Sequence, residues 1–260
     1  MKYIACQGHR IEYDFIAGAD PLVPTLVFLH EGLGSLAMWK DFPSRCAAAT
    51  GCRALVYSRY GYGKSDTIAE PRRVDFMHDE ALKALPELLD KLHVDRPMLF
   101  GHSDGGSIAL IHAGGVARPV RALILMAPHV IVEDFGIRSI EAAKRAYETT
   151  DLRDKLARYH SDPDSAFWGW NDVWLNSDFR AWNIQEYLPR VSCPVLAIQG
   201  EEDEYGTMDQ IERIRRAIPA VEILKLKNCG HSPHRDQPEA VIQRVTQFVK
   251  GLQNADQHHL

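Results

Sequence analysis

Pro97-Met98-Leu99-Phe100-Gly101-His102-Ser103-Asp104-Gly105-Gly106-Ser107-Ile108-Ala109-Leu110 is the stretch on which the reading of this chain turns. Its apolar opening reads as a short strand, its glycine-flanked centre as a tight turn, and its small, apolar continuation as a helix packed on a sheet. Ser103 stands in the middle of a G-x-S-x-G pattern, which places a hydroxyl on a sharp strand-to-helix elbow. The glycines have a steric reason: strand and helix approach closely there and the backbone between them is strained, so the neighbours must lack side chains. Gly101, Gly105 and Gly106 meet that need.

Outward from the elbow, apolar runs alternate with amphipathic ones, the signature of strands crossed over by helices into a mostly parallel sheet. Upstream, the alternation at Ile11 to Phe15 reads as an edge strand, and Thr25 to His30 and Ala54 to Tyr57 as buried strands. Helices are expected near Met38 to Ala49 and Phe76 to Leu92. Downstream, Ala122 to Met126 reads as a strand stopped at Ala127-Pro128, and Val195 to Ile198 and Val221 to Leu226 as two late strands, each followed by a helix.

About sixty residues separate the strand ending near Ala127 from the one beginning near Pro194, far more than a simple crossover needs. They read as an inserted helical lid, charged around Ile140 to Tyr147 and aromatic from Phe167 to Trp182, where four of the five tryptophans fall. Most of these rings are expected to pin the lid to the sheet. Trp168 and Trp174 are candidates to line a substrate pocket, because a lid facing a cleft presents an apolar underside. The expected organisation is a core of residues 1–128 and 191–260 interrupted by a lid at residues 129–190.

The 260 residues, 45% of them hydrophobic, suffice for the core of one α/β domain. A net charge of -5 spread along the chain leaves no basic stripe for nucleic acid or an anionic membrane, so a small-molecule substrate is the expected partner. The start of the chain lacks a continuous apolar stretch, and no run of roughly eighteen apolar residues follows, so a soluble, unexported protein is expected. Cys6, Cys46, Cys52, Cys193 and Cys229 are odd in number and lack C-x-x-C spacing. They fit reduced thiols in a cytoplasm and suggest neither a disulfide framework nor a zinc site; no metal or cofactor is expected. The loop Arg59 to Asp66 carries two glycines and a lysine but not the spacing of a phosphate cradle, and reads as a structural turn.

A serine hydroxyl is a weak nucleophile until a base takes its proton, and that base needs a third group to fix its tautomer and orientation. Asp203, in Gly200-Glu201-Glu202-Asp203, and His231, in Cys229-Gly230-His231-Ser232-Pro233, each lie just beyond a late strand and follow Ser103 in the order acid, then histidine. His234 competes with His231, but Gly230 and Pro233 form a compact turn that can swing the His231 ring toward the serine. Asp203 is the preferred acid within an acidic cluster, and Glu202 the alternative. An oxyanion needs two donors. One is the amide of Asp104; the other is expected from His30-Glu31-Gly32-Leu33-Gly34-Ser35, with Gly32 preferred, Leu33 second, and His30 bracing the turn.

These pieces, with Tyr57 to Ser65, resemble an α/β-hydrolase-fold enzyme over nearly the whole chain. The resemblance implies a mostly parallel eight-stranded sheet flanked by helices, with a helical lid. The S-D-G-G elbow, the R-x-G-Y-G-x-S run and Leu188 to Pro194 most resemble the biphenyl-hydrolase-like or valacyclovir-hydrolase group of serine esterases. In that group the aspartate after the nucleophile holds a substrate ammonium group, a role the resemblance offers to Asp104; capping of the helix it opens is the alternative. The sequence departs from the family at Glu31, where a glycine is usual, and the carboxylate becomes a candidate substrate contact. The expected activity is hydrolysis of a small carboxylic ester through an acyl-enzyme on a Ser103-His231-Asp203 triad. The alternatives are a carbon–carbon bond hydrolase of ring-fission diketones and a non-catalytic ligand-binding protein on the same scaffold.

Overall fold

The computed structural model describes residues 2–19 and 23–257. Its strands are β1 (Lys2–Cys6), β2 (His9–Ile16), β3 (Leu26–Leu29), β4 (Ala54–Tyr57), β5 (Met98–His102), β6 (Ala122–Met126), β7 (Val195–Gly200) and β8 (Glu222–Leu226). They form one sheet in the order β1-β2-β4-β3-β5-β6-β7-β8. β2 runs antiparallel to both neighbours and every other pairing is parallel. β3 to β7 are buried along their whole length, which is why they read as continuous apolar runs and not as alternations.

The opening of the sheet differs from expectation. The alternating segment around Ile11 to Phe15 is an interior strand, and the edge is β1, which the residue pattern does not mark. Only Cys6 of β1 is fully buried, so the strand has almost no apolar periodicity. Its hairpin turns at Gln7 and Gly8, both at positive φ, the backbone that suits a two-residue hairpin but without the Asn-Gly or Asp-Gly pair that usually announces it.

Helices cover both faces of the sheet. On one, Phe42–Thr50 packs with the long Pro238–Gln257 helix over Leu26, Phe28 and Phe100; on the other, Asp104–Gly115 and the Phe76–Lys91 segment lie over Val27, Leu29 and Leu99. Phe76–Lys91 carries a π turn at Glu80–Ala84. Pro86 follows it and has no N–H to offer, so a locally widened hydrogen-bond ladder accommodates it inside an otherwise helical segment.

Between β6 and β7 the chain forms helices Asp134–Thr149, Leu152–Ala157 and Pro163–Leu175, then two short 3₁₀ turns. Asp162 caps the third by accepting from the Ser165 amide at 2.9 Å, with Pro163 at its first position. Phe167 stacks on Tyr147 at 3.8 Å, and Phe179 sits 6.2 Å from Phe76 and against Trp174 and Trp182, so aromatic contacts join this insertion to the sheet domain. Among the described residues no helix is long and apolar enough to cross a membrane.

Beyond β5, Ser103 adopts φ 53° and ψ −119° while its amide donates to Met126 O at 2.9 Å. Such a backbone costs about 1–3 kcal/mol and persists only where its surroundings enforce it. Gly105 is part of that enforcement: a Cβ there would lie 2.0 Å from the carbonyl oxygen of Leu29. Gly105→Ala is therefore expected to destabilise the fold by at least about 2 kcal/mol in urea unfolding. Gly251→Ala, in an exposed turn of the last helix with nothing near its Cβ position, is expected to stabilise by about 0.5–1 kcal/mol.

Candidate active site

Five parallel strands end on the same side of the sheet, and each hands one part of the site to the loop that follows it. Ser103 follows β5, His129 follows β6, Asp203 follows β7, His231 lies beyond β8, and His30 to Ser35 follow β3. The elbow lifts Ser103 above the strand ends and leaves it 6% exposed.

His231 Nε2 is 2.9 Å from Ser103 Oγ, and His231 Nδ1 is 2.9 Å from each Asp203 carboxylate oxygen. In the neutral ring Nδ1 donates to the carboxylate, so Nε2 is free to accept the serine proton. Asp203 is itself held: Oδ2 accepts from Gln199 Nε2 at 2.7 Å, and Oδ1 from the amides of Tyr205 at 2.8 Å and Gly206 at 3.2 Å. Burial would raise the Asp203 pKa, but the bond and charge of His231 and the Tyr205 amide outweigh it and keep the carboxyl below its ordinary value. Burial would likewise lower His231, yet its bond to Asp203 and the charges of Asp203, Glu204 and Glu31 hold it above its ordinary value.

The other acids of the cluster, Glu201, Glu202 and Glu204, are exposed. His234 is turned away from Ser103 into the core, with its ring 4.9 Å from Trp39 and 5.5 Å from Phe42, and burial drives its pKa well down.

Among the described residues the backbone amides of Asp104, Gly32 and Leu33 donate to no protein acceptor. That of Asp104 is the first of its helix, where no intrahelical partner exists. The β3 loop is fixed around them. His30 Nδ1 donates to Glu31 O at 2.7 Å while its Nε2 accepts from the Arg59 amide at 3.0 Å. Arg59 Nη2 reaches the carbonyls of His30 at 3.3 Å and Glu31 at 2.9 Å. His160, from the insertion, donates Nε2–H to Leu33 O at 3.0 Å and accepts from the Gly63 amide at 2.9 Å. The Arg59 to Asp66 loop thus buttresses the β3 loop.

Asp104 occupies the first position of its helix, but neither carboxylate oxygen accepts a backbone amide, so it is not a side-chain cap. The carboxylate is 1% exposed and lies 3.9 Å from Arg59 Nη2. Burial raises its pKa, with Arg59, Arg72 and Trp174 only partly offsetting. Glu31 turns its carboxylate toward His102 and Arg235. Trp174 packs on His129 at 5.2 Å. Trp168 instead packs with Tyr147 and Phe167 and lines a cavity of about 350 Å³ with Ile68 and Arg72. A larger cavity of about 540 Å³ opens on Arg59, Arg72, Tyr57 and Glu80 and not on Ser103.

Four neighbours of the site were not read from the sequence. Gln199 is the last polar residue of a buried strand, and His102 looks like a strand residue. Tyr205 lies 4.8 Å from the His231 ring. His129, 5.7 Å from His231, is held neutral by burial, its pKa lowered to about 3. A signal existed for His129 alone, since it follows the proline that stops β6.

Residues 26–244 match the model of the alpha/beta hydrolase family. The chain belongs to that family. It is 23% identical to the sn-1-specific diacylglycerol lipase ABHD11 of Danio rerio, over 93% of this chain and 83% of that one. It is 26% identical to the 2-hydroxy-6-oxononadienedioate/2-hydroxy-6-oxononatrienedioate hydrolase of Cupriavidus pinatubonensis, over 90% and 88%. The structure of an esterase from Exiguobacterium antarcticum superposes with a TM-score of 0.76 at 20% identity, over 95% of this chain and 98% of that one. The proteins similar to this hydrolase thus include a lipase, an esterase and a hydrolase of 2-hydroxy-6-oxo dienedioates and trienedioates.

Asp203→Asn removes the charge that raises the His231 pKa and reverses the hydrogen-bond polarity at Nδ1. The expected result is a loss of about 10⁴-fold in turnover. In the parent, kcat/KM is expected to fall as pH drops through a pKa above 6.5, the ordinary value for histidine, because protonated His231 cannot act as base. A pH–rate profile of both proteins checks this.

Proposed function

We propose that this alpha/beta hydrolase cleaves a small carboxylic ester through an acyl-enzyme. The observation that carries the proposal is the unbroken line Asp203, His231, Ser103, with hydrogen bonds of 2.9 Å on both sides of the imidazole. Ser103 Oγ attacks the ester carbonyl as its proton passes to His231 Nε2. The negative charge on the carbonyl oxygen is received by the amides of Asp104 and of Gly32 or Leu33. One well-aimed donor of this kind is worth roughly 3–4 kcal/mol. Collapse expels the alcohol, which takes the proton from His231; water, deprotonated by the same ring, then releases the acid.

The insertion at residues 129–190 is read as a lid. Trp170 packs on Gly32, where a Cβ would meet its indole nitrogen at 2.2 Å, and Trp174 packs on His129, so these two rings, and not Trp168, lie against the loops that flank the nucleophile. Their movement admits substrate. Arg59 already supplies a counter-charge to Asp104, which favours a neutral acyl group over the ammonium suggested by the resemblance to valacyclovir hydrolases.

The second reading is carbon–carbon hydrolysis, which the similarity to the 2-hydroxy-6-oxononadienedioate/2-hydroxy-6-oxononatrienedioate hydrolase favours. Both readings use Ser103. Turnover of p-nitrophenyl acetate and of an aromatic ring-fission product, measured side by side, separates them. The ester reading predicts faster turnover of the acetate, lost by at least about 10³-fold in Ser103→Ala. Preference for the ring-fission product, or full acetate turnover in Ser103→Ala, contradicts it.

A further inference from the structure

Glu31 lies in the β3 loop, and its two carboxylate oxygens face two different elements of the fold. Oε2 lies 3.4 Å from Nδ1 of His102, the last residue of β5. Oε1 accepts from Arg235 Nη2 at 3.2 Å, in the short helix that follows His231. His102 continues the chain of contacts, since its Nε2–H donates to the backbone carbonyl of His231 at 2.7 Å. The peptide of Glu31 is fixed as well: its carbonyl accepts from His30, Arg59 and the Gly34 amide.

One side chain thus touches, directly or through one ring, the loops that carry the Gly32 and Leu33 amides, Ser103 and His231. We propose that Glu31 is a positioning residue whose carboxylate clamps the oxyanion loop to the segment that carries His231. The inference rests on the triad reading of the site.

Charged and titratable groups surround the segment that the clamp holds. Asp203, Glu204 and Tyr205 face the His231 ring from the β7 loop, His129 from beyond β6, His102 from β5, Glu31 from beyond β3, and His234 and Arg235 follow it in its own segment. Of these, Asp203, Glu204 and Glu31 bring negative charge to the imidazolium that forms when Ser103 attacks. His102 and Arg235 hold the Glu31 carboxyl well below its ordinary range against the opposing effect of burial.

The test is the titration of the His231 ring followed by NMR in the resting protein, which needs no substrate and so fails independently of the ester reading. In Glu31→Gln, which keeps the size of the side chain but loses the ion pair with Arg235 and the attraction to His102, the clamp loosens and the His231 pKa is expected to fall. Turnover of p-nitrophenyl acetate is expected to drop about tenfold in kcat with KM within about twofold, because the amides are less well placed. A Glu31→Gln protein whose His231 titrates as in the parent overturns the proposal. Should Glu31→Gln fail to fold, Glu31→Asp takes its place, keeping the charge but shortening the reach. An unshifted His231 pKa with lowered kcat supports the clamp, and parental kcat overturns it.

Discussion

The backbone of Ser103, held at positive φ between a buried strand and a buried helix, is the constraint from which the rest of the site follows. A serine does not adopt this conformation in a free chain. It does so here because its amide is tied to Met126 on β6 and because Gly101 and Gly105 let β5, its helix and the end of β3 close to backbone contact. The strain is offset by the apolar burial of the central strands. It places Oγ above the sheet, in reach of a histidine from beyond β8, and leaves the first amides of the helix free.

That placement decides what surrounds it. A hydroxyl and an imidazole at hydrogen-bond distance need a carboxylate behind them, and Asp203 can remain charged while buried because Gln199 and two backbone amides donate to it along with His231. The charged form of His231 is favoured by Asp203, Glu204 and Glu31, while His129 stays neutral beside it. Arg59 has a comparable part on the other side of the elbow. Its guanidinium ties the β3 loop carbonyls, faces the Asp104 carboxylate and lies over the Tyr62 ring. Replacing either partner leaves an uncompensated buried charge, so this region tolerates little change.

Much of this was legible from the residues because the informative signals are local. Buried parallel strands are short apolar runs, and a chemically active residue just past each run, such as Ser103 after Phe100 to His102 or His231 after Val221 to Leu226, marks a strand end. What escaped depends on contacts between distant segments. β1 is a strand because β2 offers it an edge, not because Lys2 to Cys6 has a pattern. His102 and Gln199 are site residues only because β5 lies two strands from β7 and the loops beyond them fold back over their ends. That the Glu31 carboxylate faces His102 and Arg235 follows from the packing of the β3 loop against the end of β5 and the short helix after His231. Among the tryptophans, composition places all four of the insertion alike; helical phase decides that Trp170 and Trp174 face the site while Trp168 faces Tyr147 and Phe167.

On our proposal the elbow presents Ser103, and no other side chain, as an activated nucleophile. Reaction with a fluorophosphonate followed by mass spectrometry of the digested protein tests it most directly. One adduct per chain is expected, on Ser103, formed far more slowly when His231 is replaced by alanine. An adduct on another residue, or labelling of Ser103 at the same rate without His231, contradicts it.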